Sequence, residues 1–133
     1  MASRADRRSK DMDENFKKQL EENGADVDTT LKRFMGNEKI YLKFIKKFLD
    51  DKNFEAIENG LAQNNYEAAF AGAHSLKGVA GNLGLNPVYE AASEMSELLR
   101  NAKSNGVDAE KVQEVKAKLE KCYFGFHKII EEN

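Results

Sequence analysis

The sequence predicts an all-α domain: an antiparallel up-down four-helix bundle with short additional helices at its N-terminal end. Three observations carry this. Apolar residues recur at helical spacing in nearly every segment, and no period-2 run is paired with a hairpin turn. One proline in 133 residues leaves little of the turn chemistry that sandwiches and barrels need. A composition of 41% apolar and 33% charged residues suits one globular domain whose core needs no disulfide or metal staple.

Residues 1–12 are polar and charged and read as a disordered lead, with 13–133 as the folded domain. Phe16 and Leu20, four apart, support a first short helix over about 13–23 that Gly24 stops. Asp26 or Asp28 is placed to cap a second, carrying Leu31, Phe34 and Met35, with Gly36 just past its end. Asn37 then caps a third, whose stripe is Ile40, Tyr41, Phe44, Ile45, Phe48 and Leu49, with lysines on the far side. Asn53 is expected to cap its continuation through Phe54, Ile57 and Leu61, and the Gly60 and Asn64-Asn65 region marks the break.

The next helix is expected over about 65–83. Tyr66, Ala69, Ala73, Leu76, Ala80 and Leu83 are spaced 3, 4, 3, 4, 3, a bundle seam, and Gly84 ends it. Asn86-Pro87 reads as N-cap and N1 of a helix burying Val88, Ala91 or Ala92, Met95, Leu98, Leu99 and Ala102. Gly106 stops it and Asp108 caps the last helix. There Val112, Val115, Leu119, Cys122, Phe126 and Ile129 repeat the 3, 4, 3, 4, 3 spacing.

Composition removes several functions. One Cys allows no internal disulfide framework and no Cys-based zinc site, and two His beside it make a poor metal centre. A net charge of -2 with a pI near 5.8 argues against non-specific nucleic-acid binding. No stretch approaches the ~20 apolar residues of a membrane span. The opening MASRADRRSK has charge but no apolar run of a secretory signal, and a lone thiol then suggests the cytoplasm. The starting Met and polar lead favour a free-standing protein.

The glycines are distributed unevenly. Four of nine lie between 72 and 84, and Gly72, Gly78 and Gly81 fall inside the expected 65–83 helix. Each costs roughly 0.5–1 kcal/mol against Ala there. Close helix packing accounts for Gly72 at even odds. It accounts less well for Gly78 and Gly81, which lie off the seam. At about 100° per residue, Phe70, His74, Lys77, Gly78 and Gly81 share one side of the helix, turned away from Ala73. A lone helical His is ordinarily an inert edge residue. A lysine one turn away and cleared ground at i+4 and i+7 turn the balance towards a reactive imidazole.

The stretch His74-Ser75-Leu76-Lys77-Gly78-Val79-Ala80-Gly81-Asn82-Leu83-Gly84 resembles the signature of histidine-containing phosphotransfer (HPt) domains. These are the helical-bundle phosphocarriers of two-component phosphorelays. Ala73, the helix from Asn86 and the segment Leu31-Lys32-Arg33-Phe34-Met35-Gly36-Asn37 fit as well, so the resemblance spans roughly 26–131 with no departure in the core motif. It implies that His74 is the phosphorylated residue and that Lys77 steadies the phosphoryl oxygens. Gly78 is similar to the small residue that lets a receiver's aspartate pocket reach the imidazole. Phe70, Gly81 and Asn82 would form a docking rim, Phe70 being equally well placed as core and Asn82 as a cap.

The chemistry agrees: neutral imidazole is a nucleophile near neutral pH, and phosphoryl transfer is mostly positioning and electrostatics. No phosphate-binding loop, ATP lid or acidic Mg²⁺ cluster is present, so the chain is expected to be a phosphotransfer intermediate and not an autonomous enzyme. It needs no cofactor of its own, Mg²⁺ being expected in the receiver. The expected partners are response-regulator receiver domains and a hybrid sensor histidine kinase, met as a monomer, with no nucleic acid and no membrane.

His127 is expected as an edge residue and Cys122 as a buried small hydrophobe. Lys39, Lys43, Lys46 and Lys47 form a solvated face that could also steer an acidic receiver. A rival reading is a non-catalytic, HPt-like interaction module that binds a signalling partner without phosphotransfer. A metal- or cofactor-binding bundle is a poorer third.

Overall fold

A computed structural model describes residues 12–133, and every regular element in it is helical: α1 (Glu14–Glu22), α2 (Val27–Arg33), α3 (Glu38–Lys47), a 3₁₀ turn (Phe48–Asp50), α4 (Asn53–Ala62), α5 (Tyr66–Leu83), α6 (Asn86–Leu99), α7 (Ala102–Asn105) and α8 (Ala109–Glu131). The expected lead lies outside the described residues as far as residue 11. Met12 does not belong to it. Its side chain joins the buried cluster of Phe16 and Leu20, and its N–H donates to Glu38 Oε1 at 3.0 Å.

Helices α4, α5, α6 and α8 form the four-helix bundle. α4 and α5 approach almost backbone to backbone. A Cβ on Gly60 would stand 2.7 Å from the Ala69 nitrogen, and one on Gly72 would stand 3.1 Å from the Asn53 oxygen. Small residues at both crossings let the helices close, which is the packing reading of Gly72. α8 runs antiparallel to α4: Lys116 pairs with Glu58 at 3.4 Å, while Tyr123 stacks on Phe54, one turn earlier in α4, at 5.0 to 5.2 Å from Phe48 and Phe54. Lys118, at 3.1 Å from Glu94, joins α8 to α6.

Several element boundaries depart from expectation for identifiable reasons. In α3 the stripe narrows: Tyr41, Ile45 and Phe48 are buried, but Ile40 and Phe44 remain 41% and 43% exposed. The helix rests on the core along one line of residues, not two. α4 is not capped by Asn53. Lys52 stands at the N-cap with no side-chain bond, and Asp51 before it accepts from the Asn53 N–H at 3.0 Å and from the Tyr123 hydroxyl at 2.7 Å. Burial first, and Asp51 second, push the Tyr123 hydroxyl's pKa upward.

α6 begins one residue early, with buried Leu85 as N-cap, because a two-residue link forces an immediate reversal. It ends at Leu99, short of Ala102, where Asn101 takes a left-handed φ of 58°. In α8 the buried line is Val112, Val115, Leu119, Tyr123, Phe126 and Ile130, so Cys122 and Ile129 are only half-buried. At about 100° per residue, Tyr123 returns to within about 20° of Val112 and Ile130 to the same line, whereas Cys122 falls about 80° away, so the strict 3, 4, 3, 4, 3 count runs out of phase on a straight helix. Burial raises the Cys122 thiol pKa all the same.

The N-terminal helices close the C-terminal end of α5. The Asp26 N–H donates to Gly84 O at 2.9 Å, buried Tyr41 OH to Leu83 O at 3.2 Å, and Arg33 Nη2 to Gly81 O at 3.0 Å. Gly84 itself is left-handed at φ 74°, and a Cβ there would collide with Thr30 Oγ1 and stand 2.8 Å from Asp26 O. Gly84→Ala is therefore expected to cost roughly 2–4 kcal/mol, from left-handed strain and overpacking together. Urea unfolding checks this; a loss below ~0.5 kcal/mol would contradict the tight closure.

Candidate functional site

Helix α5 is started by Asn65, whose side chain accepts from the Ala68 N–H at 3.1 Å. Its inner line, Ala69, Gly72, Ala73, Leu76, Ala80 and Leu83, is buried. Placing these residues inward leaves His74 exposed on the outer side, as the helical wheel expects.

His74 sits at the edge of an open groove of about 580 Å³ between α5, α2 and the start of α6. Lys77, Gly78, Gly81 and Asn82 line the same groove, so five of the six anticipated residues come together. Phe70 does not. It lies on the other side of the imidazole, half-buried, beside Tyr66 and Leu99. Its ring is stacked on His74, with centroids 5.9 Å apart and planes 16° from parallel.

The imidazole therefore has different neighbours one turn away in each direction. Phe70 fills the i−4 side. At i+4, a Cβ on Gly78 would have no atom of the described residues within 4 Å. No contact among the described residues requires a glycine there. Gly81 differs: its Cβ would stand 3.2 Å from Tyr89 Cδ1, so its smallness makes room for an aromatic ring of α6 as well as lowering the rim. Asn82 is exposed and also borders a second hollow with Phe44, Lys47 and Val79.

Two cations line the groove. The Lys77 ammonium stands 5.9 Å from the centre of the Tyr89 ring, which orients it without neutralising it. Arg33 reaches in from α2, its Nη2 held by Gly81 O and by Thr30 Oγ1 at 3.2 Å. Arg33, Tyr89 and Arg100 (whose guanidinium lies over the Phe70 ring at 5.5 Å) are the neighbours that sequence reasoning missed. One signal pointed towards Tyr89: a glycine inside a helix implies something bulky opposite. His127, by contrast, lies beside Phe124 and the acidic residues Asp51, Glu55 and Glu58.

Among the described residues, no group of three or more His, Cys, Asp and Glu side chains is placed to hold a metal ion, and no helix is long and apolar enough to cross a membrane.

A family model for the Hpt domain matches residues 45–122, more than half of the chain. The chain belongs to the Hpt domain family. No curated protein and no solved structure matches it. Hpt domains are phosphocarriers for histidine phosphotransfer in phosphorelays, where they meet receiver domains and kinases. The match contains His74 and excludes the other histidine, His127. It also excludes α1, α2 and most of α3, so the Hpt core of this chain is closed at one end by helices outside the match.

The empty space over Gly78 gives a direct test of why glycine is there. Gly78→Ala is expected to stabilise the isolated domain by about 0.5–1 kcal/mol, the usual helix-interior difference. A raised urea midpoint at constant m-value would show it; a destabilised protein would mean that the fold itself needs Gly78.

Proposed function

We propose that this Hpt domain accepts a phosphoryl group on His74 from the aspartyl phosphate of a receiver domain, or from a hybrid sensor histidine kinase, and passes it to another receiver. In the forward step the lone pair of a neutral imidazole nitrogen attacks phosphorus. The P–O bond to the aspartate breaks and the carboxylate leaves with the electron pair. The second ring nitrogen then releases its proton to solvent. Return to a second aspartate is the same exchange reversed.

The observation that carries this reading is the asymmetric setting of His74: exposed, with empty ground over Gly78 and the Lys77 ammonium one turn away. Lys77 would offset the roughly two negative charges that arrive with the phosphoryl group. Gly78, Gly81 and Asn82 would form the ground on which a receiver's aspartate pocket lands. The receiver would bring Mg²⁺, and this chain would act as a monomeric carrier with no cofactor of its own. The cytoplasm is the proposed setting, in keeping with a single free cysteine, Cys122.

Incubation with a phosphorylated receiver is expected to label the protein with acid-labile, base-stable phosphate, and His74→Gln is expected to abolish the label. A wild type that stays unlabelled while still binding the receiver would favour the non-catalytic interaction module instead.

Lys77→Ala is expected to lower the transfer rate roughly tenfold, the scale of one bond to a charged group. Gly78→Phe is expected to slow transfer while the far-UV spectrum and unfolding midpoint persist. Unchanged rates in both variants would reduce the pair to ordinary surface.

A further inference from the structure

We propose that Phe70, steadied by Arg100, is a positioning residue that fixes the ring plane of His74 for phosphoryl transfer. This rests on the reading of His74 as the phosphoacceptor and names a device that serves it.

Helical side chains lean towards the N-terminus of their helix, so His74 leans over the turn that bears Phe70. An imidazole on an exposed helix face would otherwise rotate freely about χ1 and χ2. Here it meets a flat ring only 16° from parallel, with centroids 5.9 Å apart. Phe70 is anchored: it packs on the core cluster, half-buried between the start of α5 and the end of α6.

The Arg100 guanidinium lies over the same ring at 5.5 Å from its centre, and Arg100 is tethered to Glu97 by a 2.8 Å charged hydrogen bond. That pairing holds the Glu97 carboxyl below its usual pKa. A continuous series, Glu97, Arg100, Phe70, His74, thus runs from the end of α6 to the nucleophile.

Ring orientation governs this reaction because the nucleophilic lone pair lies in the imidazole plane. Rotating the plane swings the line along which phosphorus must arrive. With the Phe70 ring nearly parallel to it on the i−4 side, the imidazole has open space on the i+4 side over Gly78, where a partner has room. Phe70 then acts on the transfer step itself, whereas a docking rim would act on receiver affinity. A ring misplaced by about 1 Å can cost as much as ~100-fold in rate.

The test combines spectroscopy with kinetics on the full chain. In the wild type, the carbon-bound ring protons of His74 are expected to shift upfield from the Phe70 ring current. Phe70→Leu, which keeps apolar volume without the flat face, is expected to lose that shift. It should lower the maximal rate of His74 phosphorylation roughly tenfold, with the half-saturating receiver concentration unchanged. Phe70→Tyr is expected to restore both, and Arg100→Gln to fall between.

Phe70→Leu transferring at the wild-type rate would overturn the proposal, as would a change confined to half-saturation or a wild type without the ring-current shift. A wild type that takes no phosphoryl group from any receiver would overturn the phosphotransfer reading itself, and this one with it. A phosphorylated wild type matched by Phe70→Leu overturns only the positioning role.

Discussion

The carbonyls of Gly81, Leu83 and Gly84, at the end of α5, are taken up by groups from residues 26–41: the Arg33 guanidinium, the Tyr41 hydroxyl and the Asp26 N–H. A helix ends with carbonyls that its own N–H groups do not reach, and buried ones must find donors elsewhere. Here the donors come from the helices that precede the bundle. Each bond contributes about 1 kcal/mol, so their larger effect is geometric. They fix where α2 crosses the end of α5. That crossing forms the far wall of the groove beside His74 and brings Arg33 into it.

The middle of α5 is governed by glycine in a different way. Gly72 and Gly60 let α4 and α5 approach to backbone contact, so the inner side of α5 needs little side-chain bulk. The outer side, Phe70 apart, is then free of any duty to the core. Gly78 occupies that outer side with open space over it, and its helix-propensity cost of roughly 0.5–1 kcal/mol is recovered by no contact among the described residues. A destabilising residue with no internal reason is what a stability–function compromise looks like. Lys77, its ammonium over Tyr89, and His74, stacked against Phe70, both border that opening, and α6 and its end support them through Tyr89 and Arg100.

Much of this was legible in the sequence. Helical periodicity marked the inner line of α5 from Ala69 to Leu83 except for Gly72, and overreached only at half-buried Tyr66; the same wheel put His74, Lys77 and Gly78 on one outward side. Caps at Asp26 (offered together with Asp28), Asn37 and Asp108 hold in the structure because each is a local interaction between a side chain and an N–H three residues on. Errors arose where the deciding contact is non-local. Asp51 displaced Asn53 as the organiser of α4 because Tyr123, 72 residues away, also binds Asp51. Cys122 and Ile129 gave way to Tyr123 and Ile130 because heptad counting accumulates a phase error along a straight helix. Phe70 was placed on the correct side of α5 but not against His74. Arg33 and Arg100, which reach the site from α2 and the end of α6, leave no mark near residue 74.

The central claim is that His74, and no other side chain, carries the phosphoryl group. Its most direct measurement is mass-spectrometric mapping, under alkaline conditions, of the chain after reaction with a phosphorylated receiver. The account predicts a single phosphoryl adduct on the imidazole of His74, with His127 unmodified although it too is a histidine near the surface. An adduct on His127 or on a carboxylate or hydroxyl side chain, with His74 left free, would contradict it.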